Sequence, residues 1–319
     1  MTRSPFVVVS VWLAVAAVAA PTAVRAAGWD GDQVAAPIAL LPLVLPVAVV
    51  VLALALVARQ WPAAVLAALL LAAQVAWLAP RAVAEPAPAA GGRRLRVMAV
   101  NLLHGQADPA ALVAAVKARR PDLLAASELT PLAAEALDRA GLAALLPYRA
   151  MHPDGGAAGT GLYSRLPLRG ASADGGGPMS FASPVASVGL GPEVVTVRAV
   201  HAQPPVADPT RWRRDLDLLR AAVAERPGPL VVMGDFNATA DHAGFRAILA
   251  AGVRDAHDAR GRGLAGTWPV GRAYPPLVAI DHVLVSHELA VVAADAWRLP
   301  GSDHMAIAAD LALRVPDVP

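Results

Sequence analysis

Three long apolar stretches, residues 5–20, 35–57 and 61–79, come before any alternation of polar and apolar positions in this chain. Each approaches or reaches the ~20 residues a helix needs to cross a hydrocarbon core. None has a polar face, which argues against helices lying on a soluble core. Pro37, Pro42 and Pro46 inside the second stretch are tolerated in a membrane helix, and Trp61 and Trp77 near the ends of the third suit the two interfaces. The pattern predicts an all-α transmembrane segment of about three helices over residues 1–80. The first stretch follows Arg3 and precedes small residues around Val24 to Ala26, so it also has the layout of a cleavable signal peptide. With three spans and Arg3 inside, or with a two-span hairpin turning at Arg59 inside, the rest of the chain finishes outside. A multi-pass protein of the cell membrane with an extracytoplasmic domain is the expectation. Arg81, Arg93 and Arg94 beyond the last span weigh against that orientation.

Residues 81–92 are rich in Ala, Pro and Gly and read as a linker. Over residues 93–315 the pattern changes to short apolar runs alternating with helical stretches, the order of an α/β domain. Apolar strands are expected at 95–101, 122–128, 161–164, 184–190, 193–201, 230–233, 280–285 and 305–313. Asp108-Pro109, Thr130-Pro131 and Asp208-Pro209 each give an N-cap followed by a first-turn proline. Gly141 and Gly252 read as helix stops. The helix after Asp208 carries Trp212, Leu216, Leu219 and Val223 on one stripe, read as core. The glycine-rich stretches 155–161 and 174–178 lack phosphate-loop spacing and read as surface loops.

Composition narrows the function classes. Hydrophobic residues make up 56% of the 319, an excess concentrated at the N-terminal end. Net charge is only +2 and Lys117 is the sole lysine, so no basic stripe favours nonspecific DNA binding. Without cysteine there is no disulfide framework and no thiolate metal site.

Chemistry is concentrated where apolar runs stop. Asn101 ends LRVMAVN, Glu128 follows DLLAAS, His201 ends VVTVRAVH, and Asp235 and Asn237 close PLVVMGDFN. Gly234 stands where an ordinary side chain crowds the turn. Asp281 and His282 interrupt IDHVLV, a costly place for charge unless it is paired or faces a cleft. Asp303-His304 precedes the last strand. Taken singly, each has a bland account: an Asx turn at Asp235, satisfied buried partners for His201 and Asp281. His242, His257 and His287 have no ligand-like spacing and read as surface or loop histidines.

Together these residues resemble the endonuclease/exonuclease/phosphatase superfamily of metal-dependent phosphoesterases. The resemblance spans roughly residues 93–315, on AVNLLHG, ASELTP, GLYSRLP, His201, GDFN, IDHVLVS and SDH. It implies a four-layer α/β sandwich, two facing sheets flanked by helices, with the site at one edge. It implies Glu128 as ligand to Mg²⁺ (or Mn²⁺), aided by Asp303 and Asn101. Asp235 would activate water and Asn237 position it or the phosphate. His304, held cationic by Asp281, would face the phosphate, and His201 would donate to a phosphate oxygen or the leaving group. Ser127 stands where many members have Gln. Leu103 replaces an Asp of some nuclease members, which weakens a two-metal arrangement, and His104 is expected to point elsewhere. Trp268 in GTWP suits either a substrate-side loop or a buried structural role. The implied function is a membrane-anchored nuclease or phosphodiesterase, with a lipid head-group phosphodiesterase as alternative and a non-catalytic membrane-attached binding domain as a rival of another class. The implied partners are a phosphoester, from nucleic acid or phospholipid, and the bilayer; no obligate protein partner is evident.

Overall fold

A computed structural model describes residues 4–86, 92–173 and 179–314. Four helices come first: α1 (Pro5–Ala27), α2 (Ala35–Ile38), α3 (Val44–Val57) and α4 (Trp61–Ala82). The first helix runs beyond the apolar stretch to Ala27, and the second stretch is broken, with a 3₁₀ turn at Leu41–Leu43. Pro42 sits in that turn, where its missing backbone donor works against a continuous helix. Val11, Val15 and Val18 on α1 meet Ala48, Val51 and Ala55 on α3 and Ala63, Ala64 and Ala67 on α4. Small residues at these contacts let the helix backbones approach, as in membrane bundles. Inside the bundle Gln74 Nε2 donates to Thr22 Oγ1 and Thr22 donates to the Val18 carbonyl, while the Gln74 amide oxygen is buried without a partner. α1 and α4 are long and apolar enough to cross a membrane, and only 22% and 28% of their apolar windows are buried; Leu41–Val57 is shorter.

The remaining elements are β1 (Arg94–Asn101), α5 (Pro109–Arg119), β2 (Leu123–Ser127), α6 (Pro131–Arg139), α7 (Leu142–Leu145), β3 (Tyr148–His152), β4 (Thr160–Ser164), β5 (Arg169–Ser172), β6 (Val185–Leu190), β7 (Glu193–His201), α8 (Pro209–Ala224), β8 (Leu230–Asp235), α9 (Ala243–Ala250), β9 (Val253–Asp255), α10 (Ala256–Ala259), β10 (Asp281–Ser286), β11 (Leu289–Arg298) and β12 (Met305–Leu313). The prolines after Asp108, Thr130 and Asp208 open α5, α6 and α8, and each cap side chain accepts from the first-turn backbone. The hydrophobic pattern does not predict β11, whose alternation is blurred by alanines.

Two six-stranded sheets form, in the orders β11-β12-β1-β2-β4-β3 and β5-β6-β7-β8-β10-β9. They pack face to face through Leu95, Val97 and Ala99 of β1, Val231 and Met233 of β8, and their neighbours. The intervening residues Met98 and Val100 turn outward under α5 and α6, and Val232 turns outward under α8 and α9. This is the four-layer sandwich, and it explains the unbroken apolar runs, since both faces of each central strand are covered.

The period-2 rule then fixes where the strand-terminal polar groups go. Asn101 continues the parity of Val97 and Ala99, His201 that of Val197 and Ala199, and Asp235 that of Val231 and Met233. Asp281 shares the parity of Val283 and Val285. In parallel register His201 lies beside Asp235, and in antiparallel register Asp281 lies beside Asp235. Asn101 lies beside Ser127, one residue before Glu128. All therefore arrive between the sheets at one rim. His282 has the opposite parity and sits on the outer face.

The N-terminal helices are docked on this domain. Asp241 holds Arg25 Nε at 2.9 Å and Arg81 at 3.3 Å, and Asp258 takes a second bond from Arg81. The Arg25 guanidinium also lies 4.0 Å over the Trp77 ring. Asp30 accepts from the backbone N–H groups of Ala243 and Gly244, capping α9 from a distant part of the chain. The expected linker 81–92 starts in contact too: the Glu85 N–H donates to the Ala259 carbonyl and Glu85 pairs with Arg254. Residues 87–91 of that linker and the glycine-rich stretch 174–178 lie outside the described residues.

Candidate active site

Glu128, His201, Asp235, Asn237, Asp303 and His304 line one cavity of about 470 Å³, while Asn101 and Asp281 stand directly behind it. The eight residues expected from the sequence thus divide into six on the surface and two that hold them.

Asp235 is fully buried and uses its two oxygens differently. Oδ1 accepts from the Asn237 N–H at 2.8 Å, which is the Asx turn. Oδ2 accepts from Asn101 Nδ2 at 3.0 Å and faces His201 Nε2 at 3.8 Å and His304 Nε2 at 3.9 Å. The turn and the chemistry therefore coexist in one carboxylate. Burial raises the Asp235 pKa, and the nearby Asp281 carboxylate raises it further, against the attraction of the two histidines. That makes Asp235 a stronger base than an ordinary carboxylate.

Gly234 makes the turn possible. Its φ is +137°, and a Cβ there would lie 2.1 Å from the Val200 carbonyl oxygen of the neighbouring strand. Asn237 has φ +48°, a region Asn tolerates; its Nδ2 donates to the Ala202 carbonyl, leaving a second N–H and the amide oxygen toward the cavity.

His304 donates from Nδ1 to Asp281 Oδ2 at 2.9 Å. Burial favours the neutral imidazole, but the carboxylates of Asp281, Asp235 and Asp303 outweigh it and push the pKa up to about 10. Nε2–H consequently points at the cleft as a charged donor. Ser302 positions this segment, donating to the Asn101 carbonyl and accepting from the His304 N–H. The expensive charges within β10 are both paired. Asp281 meets His304, and on the other face His282 gives Nδ1–H to Asp255 at 2.6 Å and Nε2–H to the Ala238 carbonyl.

His201 commits Nδ1–H to the Ala157 carbonyl at 2.9 Å, and Phe181 stacks near its ring. Nε2 is thereby turned to Asp235 and the cavity. Stretch 155–161 is accordingly more than a surface loop. Gly159 also packs so close to the Leu129 carbonyl that a Cβ would lie 2.0 Å from it.

Glu128 has φ +58°, a sparsely populated backbone state for a non-glycine residue. Its Oε1 accepts from Asn101 Nδ2 and its Oε2 from the His104 N–H at 2.6 Å. Asn101 thus bridges Glu128 and Asp235 with its amino group, and its oxygen accepts from the Leu103 N–H. In this arrangement Asn101 orients the two carboxylates. Asp303 accepts from the Trp268 indole N–H at 3.1 Å. Trp268 is 38% exposed and lines the cavity edge, so it is not a buried residue.

A divalent cation fits these groups. Glu128 and Asp303 each retain carboxylate lone pairs, and hard oxygen donors with no thiolate suit Mg²⁺ or Mn²⁺. Asp235, Asp281 and His304 also offer atoms within 4.8 Å of one another. Protonated His304 has no lone pair to give, so the acidic side of the cleft is the better cradle.

Three histidines depart from the sequence expectation; one is His257, which is buried in α10 with its Nε2 3.2 Å from the Asp295 carbonyl oxygen. His104 does not point away: its Nδ1 lies 3.4 Å from Glu128 Oε2 and its side chain lines the cavity. His242 is no surface residue but fully buried, accepting at Nδ1 from the Thr239 N–H and donating from Nε2 to the Ala35 carbonyl. Neither His104 nor His242 follows a strand, so no periodic signal marks it. Adjacency to Asn101 is the one hint for His104.

A model of the endonuclease/exonuclease/phosphatase family matches residues 98–304. Among solved structures, a humanized D. rerio TDP2 carrying 14 mutations is 16% identical with a TM-score of 0.56, covering 69% of this chain and 99% of that one. D. rerio TDP2 complexed with a single-strand DNA product gives 16% and 0.55, covering 68% and 98%. An endonuclease/exonuclease/phosphatase from Beutenbergia cavernae gives 21% and 0.50, covering 69% and 72%. No curated protein matches the sequence.

Proposed function

Because this chain belongs to the endonuclease/exonuclease/phosphatase family and is therefore a metal-dependent phosphoesterase, we propose that its rim of Glu128, His201, Asp235, Asn237 and His304 hydrolyses a phosphoester at a membrane surface. The observation that carries this reading is the pairing of a buried, abnormally basic Asp235 with a cationic His304 whose Nε2 is 3.9 Å away. Two groups driven apart in this way divide acid and base work at neutral pH.

Asp235 Oδ2 takes a proton from water, and the water oxygen attacks phosphorus while Asn237 orients it. The bond from phosphorus to the leaving oxygen breaks, and that oxygen takes a proton from His201 Nε2 or from solvent. His304 Nε2–H donates to a phosphoryl oxygen and offsets its growing charge. Glu128 and Asp303 would hold Mg²⁺ or Mn²⁺, which supplies further charge compensation there. Asn101 keeps Glu128 and Asp235 apart in fixed orientations. Two substrate classes fit the family: a nucleic-acid phosphodiester, like the DNA product bound to D. rerio TDP2, and a phospholipid head group.

The test is a panel of single-stranded DNA, RNA, phospholipid and inositol phosphate, run on the full chain with Mg²⁺. Hydrolysis is expected that EDTA abolishes and Mg²⁺ or Mn²⁺ restores. Glu128→Gln should raise the half-saturating metal concentration by roughly 10- to 100-fold. Activity indifferent to chelation would reject the reading.

The domain arrangement is also part of the proposal: a transmembrane segment over 1–80 and a catalytic domain over 93–315. Ala27, Val44 and Ala82 lie at the end of the bundle nearest the catalytic domain, and Gln60 Nε2 donates to the Val7 carbonyl at the other. Arg59 sits at that distant end, while Arg81 at the near end is neutralised by Asp241 and Asp258. Arg59 at the distant end favours a catalytic domain outside the cytoplasm, while Arg25, Arg81, Arg93 and Arg94 at the near end count the other way. The absence of cysteine allows a direct check. A cysteine at position 272 should react with an impermeant maleimide on intact cells, and one at position 59 should not.

A further inference from the structure

One wall of the active-site cavity does not come from the matched domain. Ala35, Ala36, Ala39 and Leu40, from the turn region between α1 and α3, line the same cavity as Glu128, Asp235 and His304. Pro204 and Val206, from the loop after β7, line it as well. None of these six side chains carries a polar atom. The N-terminal part of the wall is fastened by the His242 Nε2–H bond to the Ala35 carbonyl and by Asp30 on the α9 backbone. Leu40 is 40% exposed and Val206 78%, so the apolar surface continues out of the cavity, and the exposed Leu43 lies just beyond, before α3. This places the mouth of the cleft beside the ends of the apolar helices.

The charge distribution points the same way. Among the described residues lining the cavity there is no Arg or Lys. A nucleic-acid strand brings a phosphate with every nucleotide, and proteins that hold one neutralise its backbone with cations or stack its bases on aromatic rings. Here imidazoles surround a single phosphate position, Trp268 stands at the edge, and the rest of the wall is aliphatic. Pockets with a few convergent polar groups and an apolar remainder take ligands of matching polarity.

We propose that the substrate is an amphiphile, a phosphoester whose phosphate lies among His201, Asp235, Asn237 and His304 while its hydrocarbon chain lies against residues 35–40 and 204–206. The N-terminal segment is then part of the active site as well as its anchor. This rests on the phosphoester-hydrolase reading above. A chain leaving the hydrocarbon layer beside α3 would reach the phosphate position without crossing a charged surface.

The test uses the full chain in detergent with Mg²⁺ and two soluble series, alkyl phosphates and alkyl 4-nitrophenyl phosphates, from methyl to octyl. kcat/KM should rise about fourfold per added methylene over the first several carbons, the factor for burying one CH₂. The double variant Leu40→Asn/Val206→Asn should flatten that slope, a ratio taken within one protein preparation and therefore insensitive to how much of it folds. A flat wild-type profile with hydrolysis intact would overturn the subsite and leave the hydrolase reading standing. An unchanged slope in the double variant would overturn it too, as would a single-stranded oligonucleotide cleaved more efficiently than every alkyl ester. No hydrolysis of any compound would overturn the hydrolase reading and the subsite together.

Discussion

Asp235→Asn should lower kcat by about 10²- to 10⁴-fold, the range for losing a general base, while making the protein more resistant to heat. Both follow from one cause. Burial and the Asp281 carboxylate raise the Asp235 pKa in the folded protein. For a raised carboxylate the stabilising contribution is full at low pH and is lost as pH rises through the folded pKa. Where Asp235 is ionised it therefore works against the fold, and a neutral isostere relieves it. The measurement pairs steady-state kinetics with melting curves at pH 7 and at pH 4, where the gain in melting temperature should shrink. Lost activity with lowered melting temperature at pH 7 would instead mean that Asp235 is principally a structural anchor.

The second large effect concerns the His304 pair. His304→Gln should lower kcat by about 10²- to 10³-fold, as expected for removing one preorganised donor from a developing oxyanion. Asp281→Asn is more diagnostic, because it leaves the imidazole in place. In the wild type the Asp281, Asp235 and Asp303 carboxylates override burial, and His304 stays protonated up to about pH 10. The alkaline limb of the pH–rate profile from this group therefore lies near 10. Without Asp281 the main opposing charge is gone, burial regains ground, and the limb should move to lower pH. Sign and window also apply to stability: the pair contributes fully below the ordinary histidine pKa of ~6.5 and loses its contribution as pH rises through about 10. An alkaline limb unmoved by Asp281→Asn would remove His304 from the charged step.

The docking of the N-terminal segment changes how its apolar helices are understood. Arg25 and Arg81 share Asp241, and all three are largely withdrawn from water. Charges in such a network are costly to separate, so the helices fix the position of Ala35–Ile38 against the catalytic rim. An Ala-, Pro- and Gly-rich stretch at 81–92 reads as a free linker by composition alone. Its first residues are instead held by Arg254, the Ala259 carbonyl and the Asp258 pair.

The sequence by itself determined the layered α/β domain and the strand-terminal placement of Asn101, Glu128, His201, Asp235 and Asp281. The reason is geometric: a strand covered on both faces admits polar groups only where it ends, and the two-residue period then assigns each to one face. Apart from the Asp281–His304 pair, tertiary structure alone decided which groups share a hydrogen bond. That Asn101 bridges Glu128 and Asp235, that His104 turns to Glu128, and that His242 grips Ala35 depend on loops with no period and on chain segments up to 207 positions apart. Such contacts leave no local pattern, because their energy is realised only when helices and sheets have already packed. The apolar wall of the cleft belongs to the same class: residues 35–40 read as membrane-spanning by composition, and only their docking beside Asp235 makes them part of a site.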